Sequence, residues 1–321
     1  MWDLELMEPA ERIVREVVAL RPEDKVLVIT DAAKLNIGKA LCSVSRMLGA
    51  ETVLALVPMT GEHGNEPPAT IAAAMAAADV VFAPTTHAIT HTAARRHAHA
   101  AGTRVVILRG VDEDMMIRGA MAVDFKELKR ITAKVAEAFN RTDRIHITSV
   151  AGTDVTLSTA GRRFFRLDGF FQEEMGFAAL PGGECPTAPV EGSTQGRIVI
   201  DYSMDSIGRL RRPLIFDVDK GCVISVGGSA QDVEVLERLF EHDESARNIA
   251  EFSIGTNPAA RLTGNLAEDK KRLGSAHFAL GDNRSLGGSV ESTIHLDGLM
   301  LEPTITVDEK ETLIQRGKLM F

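Results

Sequence analysis

Two rhythms of apolar and polar positions divide the chain. Over residues 3–20 charged and apolar side chains alternate at helical spacing, with Leu6, Ile13, Val17 and Leu20 on one side, and Pro22 ends the pattern. KVLVITD (25–31) follows, a continuous apolar run of the kind found in parallel strands buried on both faces. The alternation continues with a helix over 34–48 closed by Gly49, a strand over 52–58 and an alanine-rich helix over 68–78. A strand over 79–85, a helix over 90–102 and a strand over 103–110 complete it, and an amphipathic helix over 124–139 bridges to the next part. Strands alternating with helices predict a parallel sheet with helices on both faces.

From about residue 145 the grammar changes to strand hairpins. RIHITSVAGTDVTLSTAG alternates around a Gly152-Thr153-Asp154 turn. Further strands are expected over 196–204 and 213–228, then a helix over 230–247, and HFALG, STIHLDG and PTITVD add more strands. The expected fold class is an α/β N-terminal domain with a parallel sheet plus a β-rich α+β C-terminal domain. The division reads as a Rossmann-like domain over 1–145 and a β-rich, metal-binding catalytic domain over 146–321. No low-complexity linker or internal repeat interrupts the chain.

Length and charge narrow the function. A chain of 321 residues is long enough for two cores. Its net charge of −9 would repel polyanions at long range, and Trp2 and Tyr202 are its only tryptophan and tyrosine. A nucleic-acid partner is therefore not expected. Cys42, Cys185 and Cys222 have no metal-like spacing and leave an odd thiol, as in a reducing compartment. The first residues are acidic where a signal peptide is basic, and no run of about eighteen apolar residues exists. The expectation is a cytoplasmic protein with no membrane partner.

Candidate chemistry appears in both halves. The first strand is followed by TDAAKLNIG, with one glycine, so no Gly-x-Gly-x-x-Gly nucleotide site is read there. His87 and His91, in PTTHAITHT, lie beyond the third strand's carboxyl end, where open α/β sheets place ligand-contacting loops. They are the candidates for substrate contact; His87 sits on the loop itself, whereas His91, like His97 and His99, also fits a solvated helix. In the second half, residues 251–298 carry seven glycines together with Glu251, His277, His295 and Asp297. Residues two apart in a strand share a face, so His295 and Asp297 can address one ion. A lone histidine on an apolar strand usually belongs to the core, but imidazole and carboxylate mixed in one stretch point to a metal. Glu184, within LPGGECPTAP, reads from spacing alone as an exposed carboxylate on a rigid surface turn.

PGGECPTAPVEGSTQG (181–196), EFSIGTNPAA (251–260), GSAHFALGDN (274–283) and STIHLDG (292–298) resemble motifs of the aminopeptidase T and aminopeptidase S family of metallo-aminopeptidases. The resemblance covers most of residues 145–321 and only the architecture of the first half. It implies two divalent ions, zinc, cobalt or manganese, held by Glu184, Glu251, His277, His295 and Asp297. The implied activity is hydrolysis of an amino-terminal residue or a small amide, with a small-molecule or short-peptide substrate and a homodimeric assembly. Two positions depart from the peptidase pattern. Lys270, Lys271 and Arg272 stand where the family's general base is expected, leaving Glu268 or Asp269 as substitutes. A family tyrosine is missing from DNRSLGG, where Arg284 could take the electrophilic role.

The chain is also similar to the 2,5-dihydroxypyridine ring-cleaving dioxygenases, notably around His295-Leu296-Asp297. Those enzymes hold one Fe(II) with two histidines and an aspartate, have a histidine at the position of Glu251, and lack the carboxylate at Glu184. His87 matches a histidine of their pocket. Because both glutamates are present, the sequence favours the dinuclear hydrolase, with the Fe(II) dioxygenase as its alternative.

Overall fold

In the computed structural model, which describes residues 2–58, 64–90, 92–173 and 176–321, the apolar runs of the first part fold as parallel strands. They are β1 (Lys25–Thr30), β2 (Glu51–Leu56), β3 (Val80–Ala83) and β4 (Arg104–Ile107). The hairpin of β5 (Arg144–Thr148) and β6 (Asp154–Ser158) comes next, then the short β7 (Ala178–Ala179). The chain divides into two compact units, one of Met1–Lys129 with Leu167–Gly182, the other of Arg130–Arg166 with Gly183–Phe321.

The first unit carries a five-stranded sheet in the order β2-β1-β3-β4-β7. Leu27, Ile29, Val81, Ala83, Val105 and Ile107 form one apolar face with Met75, Ala94, Ala98 and Phe177. Val26, Val28, Val80, Phe82 and Val106, which point the other way, are buried as well, so helices cover both faces as the uninterrupted apolar runs require. The expected single helix over 3–20 is broken into Trp2–Glu5 and Met7–Arg12, followed by a wider π turn at Ile13–Val17. Pro9 explains the break at Leu6, since it has no N–H to donate back to Glu5 and its ring crowds that carbonyl. The helix expected over 90–102 is Ala93–Ala100, capped by Thr92, whose hydroxyl accepts from the Arg95 N–H at 3.2 Å.

In the second unit the remaining strands are β8 (Glu184–Thr187), β9 (Gln195–Ile200), β10 (Ser203–Met204), β11 (Gly208–Arg209), β12 (Leu214–Asp219) and β13 (Cys222–Gly227). They continue with β14 (Ile249–Gly255), β15 (Ala276–Gly281), β16 (His295–Met300), β17 (Thr304–Val307), β18 (Glu311–Gln315) and β19 (Lys318–Leu319). An eight-stranded antiparallel sheet runs β13-β12-β9-β6-β5-β17-β18-β19, and a six-stranded one β11-β10-β16-β15-β14-β8. Their apolar faces share one core: Ile145, Val155, Ile198 and Phe216 from the first sheet, and Phe252, Ile254, Phe278, Leu280 and Met300 from the second. The Phe252 and Phe278 rings, 5.2 Å apart, link β14 to β15 within it.

LPGGECPTAP differs most from the sequence expectation. It is not an exposed turn: Glu184 begins β8, pairs with Gly255 of β14, and is only 4% exposed. β8 is the edge of its sheet, where Pro186 can stand without removing a needed ladder hydrogen bond. Gly183 makes the entry possible. Its φ is +116°, and a Cβ there would meet the Asn257 Cβ at 2.5 Å.

Candidate metal centre

The alternation of β14, β15 and β16 sorts their residues onto two faces. Phe252 and Ile254, Ala276, Phe278 and Leu280, and Leu296 and Met300 point into the core. The intervening positions, Glu251 and Ser253, His277 and Ala279, and His295 and Asp297, therefore share the opposite face. Register completes the assembly, because Glu251 is opposite Ala279, Ala279 opposite Asp297, and Gly281 opposite His295. Ala279 contributes only a methyl group between the two carboxylates, which leaves space for their side chains to converge. Glu184 of β8 joins from the far side of β14.

The donors meet closely. His277 Nε2 lies 3.1 Å from Glu251 Oε1, and His295 Nε2 lies 3.1 Å from Glu251 Oε2. His277 Nε2 is 3.5 Å from Glu184 Oε2, and His295 Nε2 is 3.6 Å from Asp297 Oδ1. Two ligands bound to one ion at about 2.1 Å and 90–110° are roughly 3.0–3.4 Å apart, so the spacing matches donors arranged around a cation. The His295 Nδ1–H donates to the Asp282 carbonyl at 2.8 Å. That fixes the tautomer whose Nε2 faces Glu251 and Asp297, as an outer partner of a metal-bound imidazole does. Glu184 Oε2 and Asp297 Oδ1 are buried yet accept no hydrogen bond. Buried carboxylate oxygens without donors fit a site shaped for a cation.

Two lysines complete the cluster. Lys270 and Lys271 follow the short helix Leu266–Asp269 and turn inward. Lys270 Nζ donates to Asp297 Oδ2 at 2.6 Å and lies 3.6 Å from Glu184 Oε2, while Lys271 Nζ pairs with Glu184 Oε1. Their side chains are 13% and 6% exposed. Sequence reasoning placed them only where a base was missing, because a Lys-Lys pair after LAED has the composition of a solvated helix end.

The electrostatics follow from this packing. Burial alone would raise the Glu251 carboxyl, but hydrogen bonds from His277 and His295 outweigh it and hold it at about 2. Burial opposes ionisation of Asp297 too, yet the Lys270 charge and the adjoining His295 keep it well below the usual carboxylate range. Glu184 is lowered against burial by Lys270 and Lys271. His295 is raised well above an ordinary imidazole, its burial outweighed by the facing carboxylates of Asp297 and Glu251. Lys270 is raised against burial by Asp297 and Glu184, whereas burial dominates at Lys271 and brings it down to about 8. At neutral pH all three carboxylates are therefore charged donors.

Within the second unit, Glu268, Asp269 and Arg284 have partners of their own. Glu268 accepts from the Arg261 N–H at 3.1 Å and its guanidinium at 3.3 Å. Asp269 accepts from Thr263 N at 2.7 Å, Gly264 N at 3.2 Å and Ser203 Oγ at 3.1 Å. Arg284, half exposed, pairs with Asp282 at 2.7 Å and Glu291 at 2.8 Å. His87 follows β3 in the first unit, where its carbonyl accepts from Thr85 Oγ1 at 2.7 Å. His91 lies outside the described residues.

A family model described as 2,5-dihydroxypyridine 5,6-dioxygenase matches residues 11–321. The chain belongs to this family. A curated relative, the 2,5-dihydroxypyridine 5,6-dioxygenase of Pseudomonas putida, is 21% identical over 254 residues, spanning 75% of this chain and 71% of the relative. The solved structure of 2,5-dihydroxypyridine dioxygenase from Pseudomonas putida superposes with a TM-score of 0.84 at 18% identity, covering 99% of this chain and 97% of that one. Wild-type AmpT from Thermus thermophilus superposes with a TM-score of 0.73 at 17% identity, covering both chains in full. Both solved structures show the two-part fold. The dioxygenase family is one of enzymes, and together with the donor set it supports a metal cofactor.

The expectation of an aminopeptidase is corrected by these findings. The family model and the curated relative are dioxygenases, and the peptidase link is one of fold. The hydrolase and metalloprotease readings fall with it, and so does the need for Glu268, Asp269 or Arg284 as hydrolytic groups. The sequence favoured them because Glu184 and Glu251 are both present, as the resemblance to the peptidases requires. No helix among the described residues is long and apolar enough to cross a membrane.

Proposed function

We propose that the chain is a mononuclear Fe(II) dioxygenase that opens the ring of 2,5-dihydroxypyridine or a close analogue. Family membership and the activity named for the Pseudomonas putida relative support this reading. The observation within the molecule that carries it is the setting of two imidazoles, His277 and His295, against the two oxygens of Glu251 at 3.1 Å each. Two histidines and one carboxylate are the donor set of non-haem Fe(II) oxygenases, and when bound the ion supplies open positions for substrate and oxygen. Glu251 stands where the similar oxygenases have histidine, but His277 restores the count of two imidazoles. His295, oriented by the Asp282 carbonyl, presents Nε2, and Asp297 Oδ1 at 3.6 Å offers a further anionic oxygen. The core behind the strands keeps water from the rear of the ligands.

Protein loaded anaerobically with Fe(II) should consume oxygen mole for mole with 2,5-dihydroxypyridine while the ring absorbance disappears. Iron-loaded, folded protein that takes up no oxygen with any of a panel of dihydroxylated pyridines would remove this reading.

A further inference from the structure

We infer that Ser253 is a positioning residue, the hydrogen-bond partner that fixes the His277 ring as the Asp282 carbonyl fixes His295. The inference rests on the preceding reading only in taking His277 as a ligand of the ion. Ser253 on β14 stands directly opposite His277 on β15, on the face that carries the ligands, and both are fully buried. His277 turns Nε2 toward Glu251 Oε1 at 3.1 Å. A neutral imidazole that gives Nε2 to a metal keeps its proton on Nδ1, and that N–H needs an acceptor. Yet His277 Nδ1 and Ser253 Oγ are both buried with no hydrogen-bond partner among the described residues. Buried polar atoms rarely stay unpaired, and residues directly opposite in an antiparallel ladder have Cβ atoms about 4.5–5.5 Å apart. Turning the hydroxyl to another staggered χ1 position, or setting one water between, joins the two.

The neighbouring positions leave this role to Ser253. Leu299, opposite His277 on the β16 side, is apolar and fully buried. Ala279, two residues after His277, has no polar side chain, and Ser275, two residues before it, gives its hydroxyl hydrogen to the Arg272 carbonyl at 2.8 Å. Pro186, opposite Ser253 on β8, has no side-chain group that competes for the serine hydroxyl. A serine present only as packing predicts a different outcome on substitution. Deleting an unpaired buried hydroxyl would leave metal affinity unchanged and the fold at least as stable, because a desolvated polar group is removed. Deleting an outer partner frees the ring and weakens the metal.

Anaerobic Fe(II) titration of the full chain, with imidazole NMR of protein loaded with diamagnetic Zn(II), tests this. Ser253→Ala should lower iron affinity about 10- to 100-fold, as for loss of an outer partner. Zn(II)-loaded wild type should show a slowly exchanging Nδ1–H signal from His277, identified by its absence from His277→Gln. Ser253→Ala should lose that signal, and Ser275→Ala should keep both the signal and the affinity. Unchanged iron affinity in folded Ser253→Ala, survival of the protected signal in it, or its loss in Ser275→Ala would each overturn the inference. The wild-type spectrum decides even without a folded variant, since a His277 Nδ1–H in fast exchange has no partner to lose. Tight iron binding without oxygen uptake on dihydroxypyridines would sink the dioxygenase reading and leave this one standing.

Discussion

His295 is the residue on which the centre turns. Its Nε2 faces Glu251 at 3.1 Å and Asp297 at 3.6 Å, and its Nδ1–H is held by the Asp282 carbonyl. Because that carbonyl only accepts, the ring cannot turn over without losing a hydrogen bond. His295→Ala should therefore weaken metal binding by more than the roughly 10- to 100-fold that loss of an outer partner costs. Retention of a full equivalent of iron by the folded variant would exclude His295 from the centre. The residue types of the cluster were legible in the sequence: imidazoles and carboxylates at strand spacing in a glycine-rich stretch are unusual enough to notice. The lysines were not. Nothing local distinguishes a Lys-Lys pair that turns into a buried acidic pocket from one that faces water, because the distinction depends on β8 and β16 arriving from elsewhere in the chain.

At the level of the strand, β15 and β16 must be in one register for His295 and Asp297 to meet Glu251. Gly281, opposite His295, has φ of +103°, and a Cβ there would meet the Ile294 carbonyl oxygen at 2.2 Å. Gly281→Ala must push that carbonyl, and with it His295, away from Glu251. The expected cost is about 1–3 kcal/mol of stability, with a marked drop in iron affinity from an unchanged set of ligands. Unaltered melting temperature and iron affinity in this variant would show that the register is held by other contacts. Period-two patterns made β5, β6, β12 and β13 readable, and apolar runs did the same for β1 to β4. β7 and β8 could not be read this way. Each is short, and each exists because a distant strand offers it an edge: Ile107 pairs with Ala179, and Gly255 with Glu184. The expected helix over 3–20 failed for the opposite reason, a local one, because Pro9 interrupts a pattern whose apolar spacing is otherwise sound.

For the whole molecule, the fold admits more than one chemistry, as the likeness to AmpT at 17% identity illustrates. In this chain the candidate metal ligands gather on one face of one sheet. That face joins four strands, β8, β14, β15 and β16, and its other side is the apolar core of the second unit. Binding a cation there should therefore stabilise the fold that supplies the ligands, since the unfolded chain does not hold them together. With free Fe(II) at 100 times its dissociation constant, the gain is about 2.7 kcal/mol. For a chain of this size that corresponds to a rise in melting temperature of roughly 4 °C. A chelator should reverse the rise, and His295→Ala should abolish it. Were wild-type protein to melt at the same temperature with and without saturating iron under anaerobic conditions, the ligands would not be acting as a preformed metal site.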